Sequence, residues 1–304
     1  MKTENKLTGA VMADTKIGII GGSGLGDALC GDMEGTHVDV DTPFGEPSDS
    51  IIETVWGDTQ VAVLNRHGPG HLICPSQVNY RANIFALKAL GCTHIIASGA
   101  VGSLREEIKP KDIVIPDQII DKTTRRIGTF FDEYLAVHVE LSSPFCPVLR
   151  EHLISCGKGI STDLHESGTY VCMEGPAFST RAESEMHRVW GGDLIGMTVM
   201  PEAKLAREAE IAYAMVCLPS DYDCWRPVGE ELDKHELLKE IIENLTEATS
   251  NAIELIKSAV ASFAQISDTP CPAHSAMELA IWSDRDSIAP AAREHFGVLV
   301  EKYL

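Results

Sequence analysis

Residues 16–26 read KIGIIGGSGLG, and this stretch decides the fold. Ile17, Ile19 and Ile20 form a short β-branched run of the kind that fits a buried strand. Gly21, Gly22, Gly24 and Gly26 then stop it, since glycine frees the backbone to turn. A strand that runs into a glycine-rich turn opens an α/β unit, and the same form recurs along the chain. Residues 61–64 end in Asn65-Arg66-His67-Gly68, and residues 94–97 open into Ser98-Gly99-Ala100. Residues 193–198 finish on Met197 and Thr198, residues 211–218 run into Ser220-Asp221-Tyr222-Asp223, and residues 113–116 read as a further strand. Between these, residues 81–90 carry a helical spacing closed by Gly91. Residues 235–266 predict the clearest helix, because Leu238, Ile242, Leu245, Ala248, Ala252, Ile256 and Ala259 step by three or four. Pro270 and Pro272 interrupt the chain before a second helical stretch over 276–304. Strands alternating with helices imply an α/β fold with a parallel or mixed sheet. The expected organisation is a disordered tail over residues 1–15 and a single domain over 16–304, with a helical part from about 235.

The 304 residues carry 25 Lys and Arg against 45 Asp and Glu, a formal net charge of −20. Such a balance repels nucleic-acid phosphates and anionic lipid, so neither nucleic acid nor membrane is expected as a partner. It still allows a small anion to sit among backbone amides and one Arg. No run reaches the roughly 18 apolar residues of a membrane span. The first residues lack the apolar core of a signal peptide. The nine cysteines are scattered, without a C-x-x-C pair or a Cys/His cluster at zinc spacing. A cytoplasmic, reduced and metal-free protein is expected.

In open α/β sheets the ligand lies beyond the carboxyl ends of the strands. There Ser23 and Thr198 would add hydroxyls, Gly99 and Ala100 backbone amides, and Arg66 a bidentate cationic fork. The glycine loop alone serves equally as a tight strand–helix turn or as an anion nest. Neither the Walker A nor the dinucleotide spacing fits, since Asp27 and Ala28 stand where Lys, Ser or Gly is needed. Asp221 and Asp223, two apart on an extended segment, would point the same way. Acceptor-only carboxylates suit an exocyclic amino group, and like charges this close favour a shared proton. The competing reading is an acidic turn that caps a helix. Phe178, within EGPAFSTRAES at 174–184, offers a ring face to a base or packs in the core.

These stretches, together with DTPFGEPSD at 41–49, GSLREEIKPKDIVI at 102–115, MTVMPEAKLAREA at 197–209 and SDYDCW at 220–225, resemble the trimeric purine nucleoside phosphorylase superfamily. The likeness is greatest to its S-methyl-5′-thioadenosine phosphorylase branch. The resemblance implies a three-layer αβα fold of the phosphorylase/hydrolase type, with a mixed central sheet and C-terminal helices, assembled as a homotrimer. It implies that Ser23, Arg66, His67, Gly99, Ala100 and Thr198 hold inorganic phosphate, a co-substrate, with no cofactor. Met197 would lie beneath the ribose and Phe178 on the purine, with Asp221 and Asp223 reading its N6 amino group and N7 and Asp221 donating a proton. Ser179 and Tyr222 fall in the same substrate-binding stretches. His138 would reach the 5′ end of a nucleoside in the neighbouring subunit, and His71 lies near that end. Where the 6-oxopurine branch has Glu and Asn, this chain has Ser179 and Asp221, which points to adenine. The 5′ pocket falls on His235 and Leu237, with Met277, Leu279 and Ile281 as further apolar wall. The implied activity is reversible phosphorolysis of 5′-methylthioadenosine; the alternative is a purine nucleoside phosphorylase of broader range, acting on adenosine, inosine or guanosine.

Overall fold

The computed structural model describes residues 15–30, 34–226 and 233–304; apart from Thr15, the tail expected over 1–15 lies outside them. The strands are β1 (Lys16–Gly21), β2 (Thr36–Val38), β3 (Ile51–Trp56), β4 (Thr59–Asn65), β5 (Cys92–Ser103), β6 (Ile113–Val114), β7 (Gln118–Asp121), β8 (Leu164–His165), β9 (Thr169–Cys172), β10 (Leu194–Gly196) and β11 (Ala212–Asp221). The helices are α1 (Leu25–Cys30), α2 (Tyr80–Ala89), α3 (Pro147–Gly157), α4 (Arg181–Val189), α5 (Val199–Glu208), α6 (Lys234–Ala261) and α7 (Pro290–Phe296). Among the described residues no helix is long and apolar enough to cross a membrane.

The strands form one mixed sheet in the order β2-β3-β4-β1-β5-β10-β9-β7, while β11, β6 and β8 extend from the other edge of β5. β1 runs parallel to both β4 and β5, whereas β10 meets β5 antiparallel. Alternation along each strand feeds two separate cores, as the period of two requires. Ala62 and Leu64 of β4, with Tyr213, Met215 and Cys217 of β11, pack on the side of α2, α5 and α7. Val61 and Val63, with Ala212, Ala214, Val216 and Leu218, pack under α1, α3 and α6. The result is the expected α/β sandwich of three layers, its central strands buried on both faces and therefore mostly apolar, with His94 and Ser98 of β5 as buried polar exceptions.

The structure lengthens β5 well beyond the expected residues 94–97 and shortens the strand expected at 113–116 to Ile113–Val114. It corrects the second helical stretch. Residues 276–304 hold short 3₁₀ turns and one seven-residue helix, α7. The Asp284 side chain accepts from the Asp286 amide and shapes a turn there, and Gly297 takes a positive φ at the end of α7. Met277 is buried in the core and Leu279 lies exposed.

Candidate active site

On one edge of β5, β1 accompanies the strand as far as Ala97 and β10 joins it only at Gly102, while β11 pairs the opposite edge throughout. Residues 98–101 therefore have no strand beside them on the first edge. A cavity of about 510 Å³ opens there, floored by Gly99, Ala100, Val101 and Gly102. It lies where the strand ends and their loops converge.

One end is rich in amides and hydroxyls. Ser23 lines it from the β1–α1 turn, which Gly26 N closes by donating to Gly22 O at 2.9 Å. Gly22 N donates to Ser98 Oγ, tying β1 to β5. A Cβ at Gly22 would stand 2.5 Å from Ser98 O and 2.7 Å from Arg66 Nη1, so the close approach requires glycine. Thr198 precedes α5 without its side chain capping the helix, so its hydroxyl lines the cavity free of that duty. The glycine loop is thus both tight turn and cavity wall.

Arg66 is fully buried, and the structure corrects its expected use. Its bidentate edge goes to Glu202, with Nε donating at 2.7 Å and Nη2 at 2.8 Å, while Nη1 donates to Ser98 O at 2.8 Å. Burial opposes the guanidinium's charge, but Glu202 overrides it and holds the group well above its usual value. Among the described residues these bonds leave one N–H on each terminal nitrogen outside them, so Arg66 lines the cavity as half of an ion pair and not as a free fork. Glu202 also accepts from Tyr213 Oη at 2.7 Å. Next to this pair, His67 Nδ1 meets Ile73 O at 2.8 Å, and its ring lies 4.2 Å from that of His71. Both histidines line the cavity.

The opposite end is acidic. Asp221 closes β11, and its Oδ1 accepts from Asp223 N at 2.7 Å and its Oδ2 from Ser220 Oγ at 2.8 Å. Burial pushes the Asp221 carboxyl up; the Ser220 hydroxyl and the Asp223 amide restrain the shift, and the Asp223 charge adds to it. The proton expected between two like charges is therefore favoured chiefly by desolvation. Asp223 does not continue the strand: its φ of 48° turns the chain, so the expected extended geometry is replaced by a tight turn that still keeps both carboxylates on the cavity. Phe178, 84% exposed, stands at the rim beside Pro176, and Met197 lines the cavity between the two ends.

The third wall is apolar and comes from α6 through Leu238, Ile241 and Leu245, opposite Ile73 and Pro75. This corrects the 5′ assignment. His235 is exposed in the first turn of α6, and neither it nor Leu237 lines the cavity, which α6 meets from Leu238 onward. Met277, Leu279 and Ile281 also lie away from it. Ser179 and Tyr222 flank the site rather than line it: Ser179 O accepts from Cys224 Sγ, and the Tyr222 ring meets Trp225 and Arg226. His138 packs on Trp282, with ring centroids 4.8 Å apart, outside the cavity of its own chain.

Sequence reasoning missed Glu202, Arg126 and Ser184. Glu202 stands four residues after Thr198, and an acidic residue on a buried helix face was the available signal. Arg126 donates to Met197 O at 2.5 Å, Met200 O at 2.6 Å and Glu174 O at 2.7 Å, fastening the loops that carry Met197, Thr198 and Phe178. Nothing local in the sequence announces that role.

The sequence pattern of the phosphorylase superfamily matches residues 16–261. The chain belongs to that superfamily. Among relatives, the S-methyl-5′-thioadenosine phosphorylase of a Synechocystis species is 46% identical over 97% of this chain and 89% of its own length. The enzyme of that name from Hyperthermus butylicus is 50% identical over 81% of this chain and 89% of its own. A crystal structure of a methylthioadenosine phosphorylase from an antarctic soil metagenomic library superposes with a TM-score of 0.86 at 43% identity, covering 95% of this chain and all of that one. The Schistosoma mansoni methylthioadenosine phosphorylase, solved in complex with adenine, gives 0.77 at 38% identity over 83% of this chain and 92% of its own. Both neighbours share the overall fold of this chain.

Proposed function

We propose that the protein is an S-methyl-5′-thioadenosine phosphorylase, a pentosyltransferase that converts methylthioadenosine and phosphate into adenine and 5-methylthioribose 1-phosphate. The observation that carries this reading is the polarity of one cavity: donors at one end, a buried carboxyl with a raised pKa at the other, and an aliphatic wall at the side. Orthophosphate sits among Ser23, the Gly99 and Ala100 amides, Thr198 and the spare N–H groups of Arg66. It attacks C1′ as the C1′–N9 bond breaks, and its negative charge stabilises the oxocarbenium character of the sugar. Because Glu202 already offsets Arg66, the anion is held mainly by dipoles, which suits a co-substrate that must stay reactive. The departing adenine gathers charge at N7, and Asp221, whose carboxyl burial biases toward the protonated form, donates there; such help is typically worth ~10²–10⁴-fold. Asp223 accepts from the 6-amino group, Phe178 covers the base and Met197 underlies the ribose.

Leu238, Ile241 and Leu245 form a surface suited to a methylthio group, while His235, the residue expected to serve a 5′-hydroxyl, stands apart. In this reading His138 serves the 5′ end in an adjacent subunit, which makes the working form a trimer, and residues 16–304 act as one domain in the cytoplasm. The reaction needs no cofactor. The test is kcat/KM for methylthioadenosine, adenosine and inosine. The expected order is methylthioadenosine, then adenosine, with inosine lower by at least about 10²-fold because its 6-oxo group faces carboxylate oxygens. Inosine as the best substrate overturns the reading.

A further inference from the structure

α4 begins directly after the loop that carries Phe178, with Thr180 and Glu183 forming a reciprocal capping box that fixes its first turn. Ser184 lies in that turn, is 0% exposed, and donates to Asp223 Oδ2 at 2.5 Å. The two carboxylates are thereby distinguished. Asp221 has both oxygens engaged within the chain, Oδ1 by Asp223 N and Oδ2 by Ser220. Asp223 has Oδ2 engaged by Ser184, while Oδ1 has no hydrogen-bond partner among the described residues. A hydroxyl that donates to a carboxylate stabilises its ionised form and fixes its rotation about the Cβ–Cγ bond.

We propose that Ser184 is a positioning residue for base selection: its hydroxyl holds Asp223 Oδ2 so that Oδ1 is presented as the acceptor for the exocyclic amino group of a 6-aminopurine. This rests on the reading of Asp221 and Asp223 given above. The capping box fixes the conformation of that first turn, so Ser184 keeps its place within it. Ser184 touches no reacting atom, and alanine, the better helix former, is tolerated at an interior helix position. Its removal therefore acts on Asp223 rather than on the helix.

The experiment measures inhibition constants for adenine and for unsubstituted purine, which lacks the 6-amino group, on the full-length wild type, Ser184→Ala and Ser184→Cys, with phosphate KM and thermal midpoints alongside. Wild type is expected to prefer adenine. Ser184→Ala is expected to lose about tenfold in adenine affinity, the size of a hydrogen bond to a charged group, with purine affinity, phosphate KM and thermal midpoint unchanged. Ser184→Cys, with its weaker donor, falls between. An unchanged adenine-to-purine ratio in Ser184→Ala overturns the assignment while leaving the base reading intact. A parallel fall for both bases, accompanied by a lowered thermal midpoint in both variants, shows a merely structural residue and overturns it too. A wild type indifferent to the amino group overturns the base reading, and this proposal with it.

Discussion

At the donor end of the cavity, Arg66 and Glu202 are fully buried, and their polar contacts join the end of β4 to β5, β11 and α5. At the α6 wall, Leu238 is 56% exposed and its neighbours need only be aliphatic. The donor end is part of the core, joined to it by Ser98, Tyr213 and Glu202, so its chemistry and the stability of the sheet are one property. The α6 wall is laid over the cavity by a helix whose firm packing lies further along, at Ala248, Ala252, Leu255 and Ile256. An end built into the core, facing a wall whose residues are partly exposed, is an arrangement in which the wall can change without refolding the site.

The largest effect separates the two ends outright. Arg66→Met leaves Glu202 charged and uncompensated in the core, which is expected to cost about 3–5 kcal/mol in denaturant unfolding. The double variant Arg66→Met with Glu202→Met removes both charges and is expected to regain most of that stability while turnover stays lost. A single variant as stable as wild type breaks the comparison, because Arg66 would then not belong to the core. The smaller effect lies at the wall. Leu238→Ala is expected to lower kcat/KM for methylthioadenosine about tenfold, the range of one apolar contact, and to leave adenosine nearly unchanged. Its unfolding free energy should stay within about 0.5 kcal/mol of wild type, as for most exposed positions. Equal losses on both nucleosides would assign Leu238 to general packing.

The same contrast governs what the sequence discloses. Residues 16–26 led to β1 and the turn because only glycine permits the approach of Gly22 to Ser98, and a requirement for one residue type is visible in a string of letters. Thr198, Asp221 and Asp223 were legible by position, each standing at or just past the end of an apolar run. The apolar wall was expected from Leu237, Met277, Leu279 and Ile281 and is built by Leu238, Ile241 and Leu245, since aliphatic side chains are interchangeable and which of them face a cavity is set by tertiary packing. Glu202, Arg126 and Ser184 act across large separations in sequence, 136, 71 and 39 residues to their partners Arg66, Met197 and Asp223, and such pairings have no local signature. The turn at Asp223 likewise reflects its bond to Asp221 rather than any glycine. The short 3₁₀ turns of the C-terminal part deceived the helical spacing because their apolar residues follow the surface of the core, not a helix of their own.

The central claim is that phosphate, not water, takes the sugar. The most direct test incubates the protein with methylthioadenosine in phosphate-free buffer and then with added phosphate, following adenine and the sugar product together. Adenine that appears only with phosphate, matched mole for mole by 5-methylthioribose 1-phosphate, is the predicted result. Adenine released at the same rate without phosphate, with free methylthioribose as its companion, would contradict it.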